Sequence, residues 1–293
     1  MELNAVEHVL EGKKILVTGH TGFTGSWVRV WLNSIGVEMI GLSLENRDQL
    51  SMHKWLNISM NQEYIGDIAD ENFVFKVFKE VKPDFVLHLA AQPIVSIGYT
   101  DPFGTLKSNT QGTAVILEAC NRTSSVSRIV CVTTDKVYRN INQVAGYVES
   151  DPLGGHDPYS ASKAACEIAV ASWRASFGAE IGTIATARAG NVIGGGDFGA
   201  ERLIPDLVRA RMAGETLIIR RPDATRPFQH VLDVLRGYLL HAEALWAGVA
   251  PSALNFGPRD AEISVRRVLE LYGTAAGAPI AWQAATAPPM EDA

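Results

Sequence analysis

A chain of 293 residues with 47% hydrophobic and 20% charged content can bury a sizeable core, as one large α/β domain or one such domain with a smaller lobe. Its formal net charge of −6 argues against nucleic acid and anionic membranes as main partners, so an anionic ligand needs arginines gathered locally against the global sign. The start, Met1 to His8, lacks both a basic and an apolar segment, and no run reaches the ~18 apolar residues of a membrane span, which places the expected location in the cytoplasm. Cys120, Cys131 and Cys166 sit in apolar surroundings without a CxxC or a paired histidine, so they read as reduced core residues and no metal site is expected.

Lys14 to Thr18 reads as a buried parallel strand, nearly continuous in apolar residues. Gly19-His-Thr21-Gly22-Phe23-Thr24-Gly25 follows at once, and a helical pattern then runs through Trp27, Val28, Val30, Trp31 and Leu32. Strand, glycine turn and helix N-terminus make a phosphate cradle, because glycines admit the pyrophosphate to the backbone and the helix end offers N–H donors. The second strand, Glu38 to Leu44, carries Ser43 where an acid usually holds the adenosine ribose, with Glu45 and Arg47 beyond. NAD and NADP are therefore not cleanly separated; NAD is favoured, with Glu45 as ribose partner. Tyr64 to Ile68 reads as a third strand whose Asp67 suits the exocyclic amine of adenine, or else caps the helix from Asp70 to Lys82. Phe85 to Ala91 is a fourth strand ending in small residues that admit a cofactor closely, and a helix with apolar Val115, Ile116 and Ala119 carries Asn109 near its start. The fifth strand, from Arg128, runs into Thr133, Thr134, Asp135 and Lys136 at the edge where open α/β sheets bind ligands.

In Asp157-Pro-Tyr159-Ser-Ala-Ser-Lys163, Asp157 suits a helix cap and Pro158 its first position. Tyr159 and Lys163 are then i, i+4 neighbours, about 6 Å apart at Cβ. A tyrosine acting as a base at neutral pH needs its pKa lowered by roughly three units, about 4 kcal/mol, and a lysine one turn away is the nearest source of that shift; the alternative is an ordinary amphipathic helix. A strand from Ile181 to Arg188 leads to a glycine-rich loop, Ala189 to Asp197, which contains Asn191 and opens a second lobe. A helix (Ile204 to Met212) and a strand (Thr216 to Arg220) precede Arg220-Arg-Pro-Asp-Ala-Thr-Arg226-Pro-Phe-Gln-His230, a local basic cluster suited to a diphosphate or else a solvated loop. A helix (Val231 to Trp246) and a strand (Ala253 to Gly257) return to the core. One more helix, Ser264 to Ala275, is followed by Ala/Pro-rich sequence with no expected structure.

These motifs, with His88-Leu-Ala-Ala-Gln-Pro93, Thr134-Asp-Lys136, Arg188 to Asp197 and Ala224 to Val231, give the chain a resemblance from Gly12 to Pro258 to the extended short-chain dehydrogenase/reductases acting on nucleotide sugars. The Asp135-Lys136 pair and the last two blocks resemble, more narrowly, the CDP-glucose 4,6-dehydratases. The resemblance implies a Rossmann-type doubly wound parallel sheet over residues 12–187, joined again by 229–257. A smaller substrate lobe would comprise 188–228 and 258–293, shorter than the family's usual C-terminal part. It implies NAD held by Gly19, Thr21, Gly22, Phe23, Thr24, Gly25, Ser43, Asp67, Ile68, Leu89, Ala90, Ala91, Asn109, Thr133, Tyr159 and Lys163. The nucleotide hexose, CDP-glucose first among them, would be held by Gln92, Asn191, Arg202, Arg220, Arg226 and His230. Tyr159, helped by Lys163 and Thr134, would take the C4 hydroxyl proton as hydride leaves C4. Asp135 would be the acid at the C6 hydroxyl and Lys136 the base at C5, where related dehydratases carry a glutamate; hydride return to C6 completes the reaction. The helices containing Asn109–Ala119 and Tyr159–Ser176 would pair in a homodimer. A nucleotide-sugar epimerase or reductase, and an inactive NAD-binding protein, are the competing readings.

Overall fold

The computed structural model describes residues 9–286 except 47–49, 59, 61, 142, 144, 182 and 260–262. The readings made on Met1–His8, on Arg47 and on the last residues of the tail lie outside them. Seven parallel strands form the central sheet: β1 (Ile15–Thr18), β2 (Met39–Ser43), β3 (Gln62–Ile65), β4 (Phe85–His88), β5 (Arg128–Thr134) and β6 (Thr183–Ala189), and a later strand, Ala253–Phe256. Their spatial order runs from that later strand through β6, β5, β4, β1 and β2 to β3, so the winding reverses between β1 and β4. This is the doubly wound Rossmann arrangement, and its switch point opens a crevice beyond the strands' carboxyl ends.

The unbroken apolar runs of β1 and β4 are explained by cover on both faces, since every residue of each is buried. On one face, Ile15, Val17, Phe85 and Leu87 pack with Val28 and Leu32 of α1 (Phe23–Ser34) and with a later helix, Val231–Trp246. On the other, Leu16, Val86, Ile129 and Cys131 pack against α2 (Glu71–Val81), α3 (Gly112–Asn121) and α4 (Pro158–Ile181). All three cysteines are buried and free. Asp70, not Asp67, caps α2 by accepting from Phe73 N at 3.1 Å. The helix carrying Asn109 begins with a π-helical turn, Lys107–Gln111. Such turns gather at functional sites because they re-aim one side chain. Here Asn109 accepts from Gln92 N at 2.7 Å and donates to Gln92 O at 3.1 Å and to Ser162 Oγ at 2.8 Å, tying the end of β4 to α4.

After β6 the chain leaves the sheet through β7 (Val192–Ile193), α5 (Leu203–Ala213), β8 (Leu217–Ile219), β9 (Thr225–Arg226) and β10 (Gln229–His230). It returns through α6 (Val231–Trp246) and β11 (Ala253–Phe256), which pairs with β6. Then β12 (Ile263–Ser264) pairs antiparallel with β9, and α7 (Val265–Ala275) packs Leu269 onto Leu207, Leu217 and Ile219 in a small separate core. The stretch after α7 is not without structure, as its composition suggested: β13 (Trp282–Ala284) pairs parallel with β8, and Ile280 and Trp282 pack on the small core. A three-residue strand of this kind is dictated by its partner, which its own sequence does not reveal.

Candidate active site

The loop from β1 to α1 is shaped by glycine at two positions. Gly19 has φ +75°, and a Cβ there would lie 2.8 Å from Ala90 N and Cα. A Cβ on Gly25 would lie 2.3 Å from Gly19 O. Gly22 caps α1 with no side-chain acceptor, and no acid stands in the first turn, so the leading N–H groups are left for an anionic ligand. In front of them is a cavity of about 390 Å³, walled by Gly19, Thr21, Gly22, Phe23, Thr24, Gly25, Ser43, Asp67, Ile68, Leu89, Ala90 and Ala91. Glu45 and Asn46 complete the wall, with Thr21 Oγ1 2.8 Å from Ser43 Oγ and Asn46 Nδ2 donating to Thr21 O at 2.9 Å. A backbone cradle that a Cβ would fill, a bare helix N-terminus and polar groups at the end of β2 fit a dinucleotide.

A second cavity, about 400 Å³, shares Phe23, Thr24, Leu89, Ala91, Pro93 and Arg202 with the first, so the two form one crevice. Its walls bring together Thr133, Thr134, Asp135 and Lys136 from the end of β5, Tyr159 and Lys163 from the first turns of α4, and Asn191, Arg202, Arg220 and Arg226 from the second lobe. Asp157 starts α4 by accepting from Ser160 N at 3.0 Å, which sets the turn bearing Tyr159. Thr134 Oγ1 donates to Asp135 Oδ1 at 2.9 Å and accepts from Lys136 N at 3.3 Å, folding the three residues into a tight turn.

Burial pushes the Asp135 carboxyl above its ordinary pKa, against the opposing pull of Lys136, Thr134 and Arg226. Burial also pushes the Tyr159 phenol up to about 12, with the Thr134 hydroxyl and the Arg202 charge pulling the other way. The largest influences on Tyr159 do not include Lys163. Lys163 Nζ donates to Val132 O at 3.1 Å, and burial lowers its own pKa. An i, i+4 spacing placed both side chains over the end of β5, but a backbone carbonyl captured the ammonium.

Three expected ligand contacts are not on the cavity walls. Asn109 is occupied as described; Gln92 donates to Thr105 Oγ1 at 2.8 Å and accepts from Ile94 N at 2.5 Å; His230 Nδ1 accepts from Leu232 N at 3.3 Å and caps α6. Their positions hold the loops that carry the walls.

Comparison with known proteins agrees with this geometry. The model of the NAD dependent epimerase/dehydratase family matches residues 15–257. The chain belongs to that family. It is 39% identical over 277 residues to the CDP-glucose 4,6-dehydratase of Salmonella typhimurium, covering 90% of this chain and 77% of the relative. Among solved structures, a UDP-glucose 4-epimerase of Thermus thermophilus in complex with NAD superposes with TM-score 0.80 at 26% identity, over 94% of this chain and 86% of that one. DesIV, a dTDP-glucose 4,6-dehydratase of Streptomyces venezuelae with NAD bound, superposes with TM-score 0.76 at 25% identity, over 92% and 84%. NAD is the cofactor of this family member, the β1–α1 cradle fits it, and the chain is an NAD-dependent nucleotide-sugar enzyme.

Sequence reading missed a buried carboxylate and guanidinium beneath the turn of Thr134, Asp135 and Lys136. Glu167, on α4 one turn past Lys163, accepts from Thr133 Oγ1 at 2.5 Å, Thr186 Oγ1 at 2.8 Å and Arg188 Nη2 at 2.8 Å. Arg188 also donates to Tyr138 OH at 2.8 Å and Glu149 O at 3.1 Å. The i, i+4 step from Lys163 to Glu167 was visible; the strand that supplies the arginine was not.

Proposed function

We propose that this family member is a 4,6-dehydratase converting CDP-glucose to CDP-4-keto-6-deoxyglucose. The observation that carries the reading is the position of Asp135 and Lys136 in the same cavity as Tyr159 and Lys163. An epimerase needs the tyrosine and lysine alone, whereas elimination of water needs a second acid and base.

Bound in the β1–α1 cradle, NAD would supply a reversible hydride acceptor for oxidation at C4 and reduction at C6. Tyr159, acting as the phenolate that the Thr134 hydroxyl steadies, removes the C4 hydroxyl proton and becomes the neutral phenol. Lys163, fixed on Val132 O, adds positive charge beneath the same floor. The C4 ketone acidifies the C5 proton, which Lys136 takes. Asp135, whose proton burial helps to retain, protonates the departing C6 hydroxyl. Arg220 and Arg226, on the far wall, offer guanidinium groups to the diphosphate, and Asn191 lies beside them. In this reading residues 12–187 and 229–257 bind the cofactor, while 188–228 and 258–293 bind the sugar nucleotide.

A homodimer is part of the proposal. Phe103 is 78% exposed and Ile168 on α4 61%, and Leu106 and Ile97 are also exposed on the adjoining short helices Pro102–Leu106 and Val95–Thr100. Large exposed apolar side chains on helices that pack side by side favour burial against a second copy. A cytoplasmic site of action is consistent with the absence, among the described residues, of any helix long and apolar enough to cross a membrane.

Incubation of the purified protein with CDP-, dTDP-, UDP- and GDP-glucose in D₂O tests the reading. The expected outcome is a 4-keto-6-deoxy product carrying deuterium at C5. A C4 epimer with its C6 hydroxyl intact, or no turnover of any nucleotide hexose, overturns it.

A further inference from the structure

Beyond the arginines, the crevice continues into a pocket of about 160 Å³. It shares Glu201, Leu203, Arg220, Arg226 and Val265 with the catalytic cavity. The order along the crevice is therefore Tyr159 and Asp135, then Arg220 and Arg226, then this pocket. A nucleoside diphosphohexose has the same order: hexose, diphosphate, nucleoside. Leu203, Leu217, Ile219 and Val265 give the pocket apolar walls against which a base can lie. Its acids are Asp206, which is ion-paired with Arg209, and Glu201, which makes no hydrogen bond or ion pair with the described residues. Glu201 does so although Arg202, Arg220 and Arg226 share its walls. It also holds φ +58°, a left-handed conformation unusual outside glycine, asparagine and aspartate.

Building on the nucleotide-sugar reading, we propose that Glu201 selects the base, by accepting a hydrogen bond from the exocyclic amine of cytosine. A carboxylate is an acceptor only, so it complements the amine of cytosine and repels the carbonyl oxygen that uracil and thymine present at the same ring position. The arginines and the apolar walls serve any pyrimidine nucleotide, so Glu201 acts on selectivity more than on turnover. Glu201 is exposed in the free protein, and the charged hydrogen bond it makes to a bound base is expected to discriminate by about tenfold to a hundredfold.

Glu201→Gln keeps the size and the backbone conformation of the side chain and removes its charge; its amide offers a donor to uracil. Titration of CMP and UMP against the NAD-loaded protein by calorimetry needs no turnover, and kcat and KM for CDP-glucose and UDP-glucose complete the measurement. The wild type is expected to bind CMP over UMP by at least tenfold. Glu201→Gln and Glu201→Ala are expected to collapse that ratio toward one, raising KM for CDP-glucose with kcat nearly kept. An unchanged CMP:UMP ratio in both variants, or a wild type that prefers UMP, overturns the assignment of Glu201. If the wild type selects CMP yet turns over no nucleotide hexose, the dehydratase reading fails while the base assignment stands. Retained NAD and an unchanged thermal midpoint confirm that each variant is folded.

Discussion

Replacing Glu167 by leucine tests whether the paired charges beneath the catalytic turn behave as a truly desolvated unit. Glu167 and Arg188 are 4% and 5% exposed, and their closest N–O distance is 2.8 Å. Burial opposes the charge on Arg188, yet Glu167 holds its guanidinium above the ordinary pKa. Leucine leaves that cation with only Tyr138 OH and Glu149 O, and deprives the hydroxyls of Thr133 and Thr186 of their shared acceptor. Breaking one side of a buried pair costs about 3–5 kcal/mol, whereas replacing both sides by apolar groups of similar size restores much of it. Glu167→Leu should therefore lose about 3–5 kcal/mol, and Glu167→Leu with Arg188→Met about 1–2 kcal/mol. Urea denaturation followed by circular dichroism on the wild type, both single variants and the double variant measures the cycle. A loss below about 1 kcal/mol for Glu167→Leu, or a double variant as unstable as the sum of the singles, refutes the reasoning. Thr133 immediately precedes the Thr134-Asp135-Lys136 turn, so the single variant should also lower kcat beyond what its stability explains at a temperature where it remains folded.

Gly25→Ala puts a methyl group 2.3 Å from Gly19 O, a backbone atom that cannot yield, and NAD affinity measured by fluorescence should fall at least about tenfold. His88 is held neutral by burial first and by the charge of Lys163 second, with its pKa near 3, between Thr18 Oγ1 at 2.7 Å and Thr113 Oγ1 at 3.0 Å. Its pKa is lowered on folding, so the stability it contributes is complete above the unfolded value of about 6.5 and is lost as pH falls toward 3; between pH 7 and pH 5 the loss is about 2 kcal/mol. Urea titrations at the two pH values should show that loss in the wild type and its removal in His88→Gln. Tyr159→Phe should cut kcat by about 10²- to 10⁴-fold with NAD retained, and the wild-type rate should rise with pH above neutral, since burial pushes the phenol up to about 12; a flat profile would exclude Tyr159 as the base.

Local chemistry made much of the molecule legible in advance. The glycine turn between β1 and α1, the Asp157 cap and the i, i+4 step from Tyr159 to Lys163 follow from spacings of a few residues, and the fully apolar strands announce a sheet covered on both faces. Those rules located the crevice, the cofactor cradle and the residues at the end of β5. What they left open depends on which distant segments meet. Lys163 turned to Val132 O because α4 lies across the end of β5. Gln92 and Asn109 became braces because the π-helical turn faces the end of β4 and α4. Arg188 reached Glu167 because β6 pairs with β5, and Trp282–Ala284 became a strand because β8 offered it an edge. A charged group's role is set by its nearest partner and its distance from water, and both are properties of the packed chain; spacing in sequence determines only which side chains share a turn.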